Sequence, residues 1–167
     1  MTKDYLYILF FLISFLSFSQ IEDCTSIYLI RHAEKVRDGS KNNNPHLNDK
    51  GFLRAEKWKN VFKYINFDKI FSTDFHRTLE TAQPIAKING LKITTYIPAV
   101  EFYENFIHQN IGKTILIVGH SNTTPTFVNS LIGEDFYNDI KDDNNGNLYH
   151  VYKCGNSLPN HLLYHIN

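Results

Sequence analysis

Excess charge of either sign is missing from this sequence: 17 lysines and arginines are matched by 17 aspartates and glutamates over 167 residues. Without a basic surplus there is no electrostatic case for a nucleic-acid partner. Long apolar runs are missing as well. The longest, Tyr5–Phe18, has 14 residues, short of the roughly 20 that cross a bilayer. No set of closely spaced histidines and cysteines completes a four-ligand zinc motif, so the eight histidines give no metal site. There is no internal repeat and no linker that would divide the chain. Cysteine is limited to Cys24 and Cys154. The pair reads either as a single disulfide or as two independent small hydrophobes.

The short apolar run follows Lys3 and the amino terminus, a weakly positive start. Ser17 and Ser19 place small residues three and one positions before a cut ahead of Gln20. That is the layout of a secretory signal peptide. The expectation is a signal at residues 1–19 and one domain at 20–167, exported to a periplasm or beyond the cell. No stable membrane insertion is expected after cleavage. Asp23 sits where a small residue should precede a lipidated cysteine, which argues against a lipid anchor at Cys24. Nothing specifies an oligomeric state.

The mature region alternates strand-like apolar runs with helical patterns. "SIYLI" (26–30), "KIFST" (69–73), "KITTYI" (92–97) and "TILIVG" (114–119) read as strands, and "LYHVYK" and "HLLYHI" add two near the end. Asn48 is placed to cap a helix from Asp49 to about Ile65. A second helix starts near Phe75 and ends at Gly90, with Pro84 expected to kink it. A third element runs through Phe102 to His108. A fourth helix is expected near Pro125, with Thr124 as its cap. "TILIVG" is apolar on both faces, as strands in buried parallel sheets are. The expected architecture is a three-layer α/β/α sandwich with a mainly parallel central sheet.

Basic residues collect after these strands. Arg31 and His32 follow the first, Arg77 follows the second, and His120 follows the fourth. The carboxyl ends of parallel strands share one edge, where ligands bind. Two arginines sent to one edge repel unless an anion lies between them, and the planar guanidinium fork suits phosphate. A neutral imidazole beside that phosphate is a nucleophile. One ring can attack phosphorus while the other donates a hydrogen bond to the transferring oxygens. The remaining histidines, His46, His76, His108, His150, His161 and His165, read as surface or packing residues.

Four blocks, in order, resemble the histidine phosphatase superfamily of phosphoglycerate-mutase-like fold. They are "LIRHAEK", "LNDKGFLRA" (47–55), "FSTDFHRTLETAQPIA" (71–86) and "ILIVGHSNTTP" (115–125). The first is similar to the family's Arg-His-Gly-Glu signature, with Ala33 in place of glycine. The resemblance implies that His32 is the nucleophile and forms a phosphohistidine. It also implies that Arg31, Arg77 and His120 bind the phosphate, and that Glu34 supports the site. The leaving group's acid would be Glu101, with Glu104 as the alternative. No metal or other cofactor is implied. The expected substrate is a small phosphorylated molecule. The chain is short, so the pocket should be open and release product readily. The expected activity is an exported phosphate-monoester phosphatase. The alternatives are a phosphohistidine or phosphoprotein phosphatase, or a non-catalytic phosphate-binding module with a relic site.

Overall fold

The chain begins its fold with β1 (Cys24–Arg31), in a computed structural model that describes residues 23–39 and 41–166. The signal-peptide reading of residues 1–19 lies outside the described residues. After β1 come α1 (Asp49–Val61), β2 (Lys69–Thr73), α2 (His76–Asn89), β3 (Ile93–Tyr96) and α3 (Val100–Glu104). A 3₁₀ turn (His108–Asn110) leads to β4 (Thr114–Gly119), α4 (Thr123–Ile132), β5 (Asn147–Cys154) and β6 (Asn160–His165). The six strands form one sheet in the order β3-β2-β4-β1-β5-β6. The first four in that order run parallel, while β5 and β6 are antiparallel additions.

Both faces of the central strands are covered, and strand alternation decides what each face buries. Ile27 and Leu29 of β1 and Ile115 and Ile117 of β4 pack with Tyr103 of α3 and Phe127, Val128 and Leu131 of α4. The intervening Ile30, Leu116 and Val118 pack with Trp58 of α1, Phe62 just beyond it, and Ala82, Ile85 and Ala86 of α2. Each core contains several fully buried large side chains, each contributing about 1.5–3 kcal/mol relative to exposure. The arrangement is the expected three-layer sandwich with a mainly parallel centre.

Several local details bear on the site. Asn48 caps α1, its Oδ1 accepting from the Gly51 amide at 2.9 Å. Gly51 packs directly on the chain beyond β1: a Cβ there would lie 2.0 Å from the Glu34 carbonyl oxygen. The Asn48 amide donates to that same carbonyl at 3.0 Å. The segment His32–Lys35 is therefore pinned by the start of α1. Three expectations need correction. The first helix, α1, ends at Val61, short of Ile65. The fourth helix begins at Thr123 with Asn122 as N-cap, so Thr124 lies inside it, buried beneath the sheet edge. The element expected through Phe102–His108 is a five-residue α3 and a separate 3₁₀ turn. Pro84 lies inside α2, which runs unbroken past it and ends at Gly90 in the left-handed conformation.

Cys24 and Cys154 are register partners across β1 and β5 and form a disulfide. Of the two readings open in the sequence, the cross-link is the one found. It ties the first strand to the fifth over a sequence separation of 130.

Candidate active site

The sheet order brings the ends of β1 and β4 together. Arg31 is the register partner of Gly119, so the next residue on each strand is a histidine. The His32 amide continues the ladder by donating to the Gly119 carbonyl at 2.9 Å. The two rings meet edge to face with centroids 5.5 Å apart. β2 lies on the other side of β4, and its last residue, Thr73, reaches His120. Arg77 follows in the first turn of α2. These groups line one cavity of about 400 Å³ with Lys35, Phe75, Pro98, Ser121–Thr123 and Asp142. All four core residues read from the sequence, Arg31, His32, Arg77 and His120, thus share one hollow.

His32 is 4 % exposed. Its Nδ1 lies 2.7 Å from the Ala33 carbonyl oxygen. A carbonyl only accepts, so Nδ1 carries the hydrogen and Nε2 keeps its lone pair. Burial pushes the ring's pKa down to about 3, with the Arg31, His120 and Arg77 charges adding to the effect and the Ala33 bond opposing it. The imidazole is therefore neutral at physiological pH, as a nucleophile must be. Ala33 fits without exposure, its amide donating to Thr81 Oγ1 at 2.9 Å.

His120 uses its other face. Its Nε2 donates to Thr73 Oγ1 at 2.9 Å, and that hydroxyl donates onward to Thr78 Oγ1 at 3.0 Å. Its Nδ1 faces an Arg77 amino group at 3.4 Å. Burial, then Arg77, Lys35 and Arg31, lower its pKa to about 4. A bound anion would reverse the effect of those charges and favour protonation of this ring, making it a donor toward the anion.

The arginines are set differently. The Arg31 guanidinium is buried, and one amino group donates to the carbonyls of Lys141, Asp142 and Asn144 at 2.9, 3.0 and 3.0 Å. The other donates to Asp142 Oδ1 at 2.9 Å. Arg77 lies over the Phe75 ring at 4.4 Å. Burial and the Arg31 charge lower its pKa. The Nε atoms of both arginines are buried without a hydrogen-bond partner, two of four such side-chain atoms among the described residues. An unsatisfied buried donor is costly, and an oxyanion in the hollow is the chemistry that would satisfy both. The first amide of α2, that of His76, is capped by Asn44 Oδ1 at 2.9 Å, whereas the N-cap of α4, Asn122, supplies no side-chain hydrogen bond to its helix.

Sequence reasoning missed four participants. Lys35 lines the cavity. Thr73 orients His120. Asn145 Nδ2 holds the His32 carbonyl at 2.9 Å. Asp142 accepts from Arg37 and Arg31, which hold its carboxyl below the usual range. Lys35 and Thr73 lie within the quoted blocks and were legible there; Asp142 and Asn145 depend on how a loop returns to the edge. Glu34 pairs with Arg54 of α1. Burial alone would raise its pKa, but bonds of 2.9 and 2.8 Å from Arg54 Nε prevail and lower it. Glu101 is exposed in the first turn of α3 and is not among the cavity's lining residues. Glu104 lies in a separate surface hollow with His108 and Lys153.

The histidine shifts carry a pH consequence. A histidine held below its ordinary value of 6.5 takes up its proton first in the unfolded chain. Stability should therefore fall as pH drops from 6.5 toward the folded values of about 3 and 4, and recover as pH rises. Urea midpoints measured between pH 7 and 4 should decline less steeply in His32→Asn than in the wild type. Parallel declines would show that His32 is not held neutral by the fold.

The comparisons with known proteins agree with this geometry. The family model of the histidine phosphatase superfamily (branch 1) matches residues 27–97. Among solved structures, the candidate phosphohistidine phosphatase SixA from Agrobacterium tumefaciens is 23% identical, with a TM-score of 0.59 and coverage of 83% of this chain and 97% of its own. Phosphoserine phosphatase from Entamoeba histolytica is 19% identical, with a TM-score of 0.57 and coverage of 81% and 97%. The protein histidine phosphatase SixA complexed with tungstate is 13% identical, with a TM-score of 0.64 and coverage of 84% and 96%. No curated protein matches the sequence. The family match takes in the first three of the four blocks, and the solved structures share the fold over most of the chain.

Proposed function

We propose that the chain is an exported phosphatase of this superfamily that hydrolyses phosphate monoesters through a phosphohistidine on His32. The carrying observation is the fixed Nδ1–H of a buried, neutral His32 in a cavity lined by Arg31, Arg77, Lys35 and His120. In the first step Nε2 forms a bond to phosphorus as the bond to the leaving oxygen breaks. The arginines and His120 take up the developing charge on the transferring oxygens. In the second step water attacks phosphorus, the P–N bond breaks, and inorganic phosphate leaves with neutral His32 restored. Fixed side-chain cations supply the charge stabilisation that a metal would otherwise provide. Export is supported by the signal-like start and by the disulfide, which persists in oxidising compartments.

The leaving oxygen needs a proton. Among the described residues Asp142 is the one carboxylate in the cavity lining, and its bonds to Arg37 and Arg31 keep it ionised. In our reading Glu101 is the donor. It stands three residues beyond Pro98 of the cavity wall and must turn inward once substrate is bound. The same absence of a fixed acid favours a second reading, hydrolysis of phosphohistidine or another labile phosphoryl group, whose leaving group needs less help. Rates on an alkyl phosphate, an aryl phosphate and phosphohistidine should separate them. We expect Glu101→Gln to slow the alkyl ester by about 10²-fold and to change the other two only slightly. Equal losses on all three would remove Glu101 from the acid role. No hydrolysis of any of them by the wild type would remove the enzymatic reading.

A further inference from the structure

Two histidines that the sequence leaves as surface residues meet beside the cavity. His76 and Glu80 are the first and fifth residues of α2, one turn apart and so on the same face. His46 arrives from the loop before α1. Its ring stacks on His76 with centroids 4.1 Å apart, and its Nδ1 is hydrogen-bonded to Glu80 Oε1. One ligand atom from each of the three residues lies within 4.8 Å of the others. Backbone contacts hold the parts in place: the Leu47 amide donates to Glu80 Oε2 at 2.8 Å, and the His76 amide to Asn44 Oδ1 at 2.9 Å. Loop and helix are thus set before any ion arrives, and only side-chain tips need to move.

We propose that His46, His76 and Glu80 bind a divalent transition metal, zinc by ligand type, with a remaining position open to water. Two imidazoles and a carboxylate form one of zinc's ordinary donor sets, whereas calcium and magnesium prefer oxygen alone. Zinc bonds of about 2.0–2.2 Å would draw the three donor atoms to about 3.5 Å from one another. That is a short contraction for two exposed histidines and a half-buried glutamate. None of the three lines the phosphate cavity, so the site stands independently of the proposed phosphatase reading. Its location gives it a consequence for that cavity, however. An Arg77 amino group lies 3.5 Å from the Asn43 carbonyl of the same loop, so the ion would clamp this loop to the helix that presents Arg77.

The test is a zinc titration of chelator-stripped protein by calorimetry, with thermal melts in Zn²⁺ and Mg²⁺. One equivalent of zinc should bind and raise the melting temperature, while magnesium should do neither. His46→Ala, His76→Ala and Glu80→Gln should each weaken binding by at least about 10-fold. Cobalt added to the wild type, a measurement that needs no variant, should give visible bands of a low-coordinate nitrogen and oxygen site. Absence of wild-type binding at micromolar zinc, a free-ion cobalt spectrum, or undiminished binding in His46→Ala/His76→Ala would each overturn the site.

Discussion

Replacing His32 with alanine is expected to lower kcat on an aryl phosphate by about 10⁴-fold or more, with the fold retained. The ring makes one side-chain hydrogen bond, to the Ala33 carbonyl, so its loss leaves a single acceptor unpaired beside a cavity that water can enter. The neighbours proposed to bind phosphate are held by other means: Arg31 by the loop at 141–144, His120 by Thr73. Phosphate binding should therefore survive in the variant while turnover does not. Circular dichroism, a phosphate-binding titration and steady-state rates measure the three quantities separately. A variant that keeps more than a tenth of wild-type turnover would show that attack on phosphorus comes from another group.

Arg31→Ala should impair both activity and stability. In the proposed reaction its guanidinium stabilises the transferring charge, and loss of one such donor typically costs about 10²–10³-fold. The same group also satisfies three carbonyls and Asp142 of the returning loop. With Arg31 gone those acceptors lose their partner and the loop is released. Asn145 of that loop holds the His32 carbonyl, so the backbone of His32 loosens as well. We expect a stability loss of about 1–3 kcal/mol, read from urea melts. Arg77→Ala provides the contrast. Its amino groups make only long contacts, 3.5 Å to the Asn43 carbonyl and 3.4 Å to His120, so it should lose comparable activity with a smaller loss of stability. Equal destabilisation by the two substitutions would contradict this division of labour.

Much of the fold was legible because its strands follow a simple rule. "KIFST" and "TILIVG" form β2 and β4 with the bounds read from the sequence, and the second, apolar on both faces, has few alternatives to a buried parallel strand. Asn48 was legible as a cap because its side chain acts locally. The misplaced start of α4 has a local cause too. Pro125 and Thr124 carry strong helix-start signals, but burial of Thr124 under the sheet edge draws them inside the first turn. The helix expected through Phe102–His108 is found as a short α3 and a separate 3₁₀ turn, with Phe102, Tyr103 and Phe106 all packed on Phe127.

The site was legible only where chemistry follows a strand directly. Arg31, His32 and His120 are fixed by strand ends, and Arg77 by the helix that follows one. Asp142 and Asn145 read as part of a polar turn before β5. Their work, clamping Arg31 and the His32 carbonyl, depends on a return path that composition does not encode. The His46, His76 and Glu80 cluster was missed for the same reason. Only the helical spacing of His76 and Glu80 was local, and the third donor comes from 30 residues upstream (46 to 76).

The central claim is that His32 becomes phosphorylated during turnover, and the most direct test is to trap that species. The protein is mixed with an aryl phosphate, quenched in alkali, and examined intact and as peptides by mass spectrometry. The expected result is one phosphoryl group on the peptide containing His32, stable in alkali, lost in mild acid, and absent from His32→Ala. A phosphoryl group on another residue, or turnover by the wild type with equal labelling of His32→Ala, would contradict it.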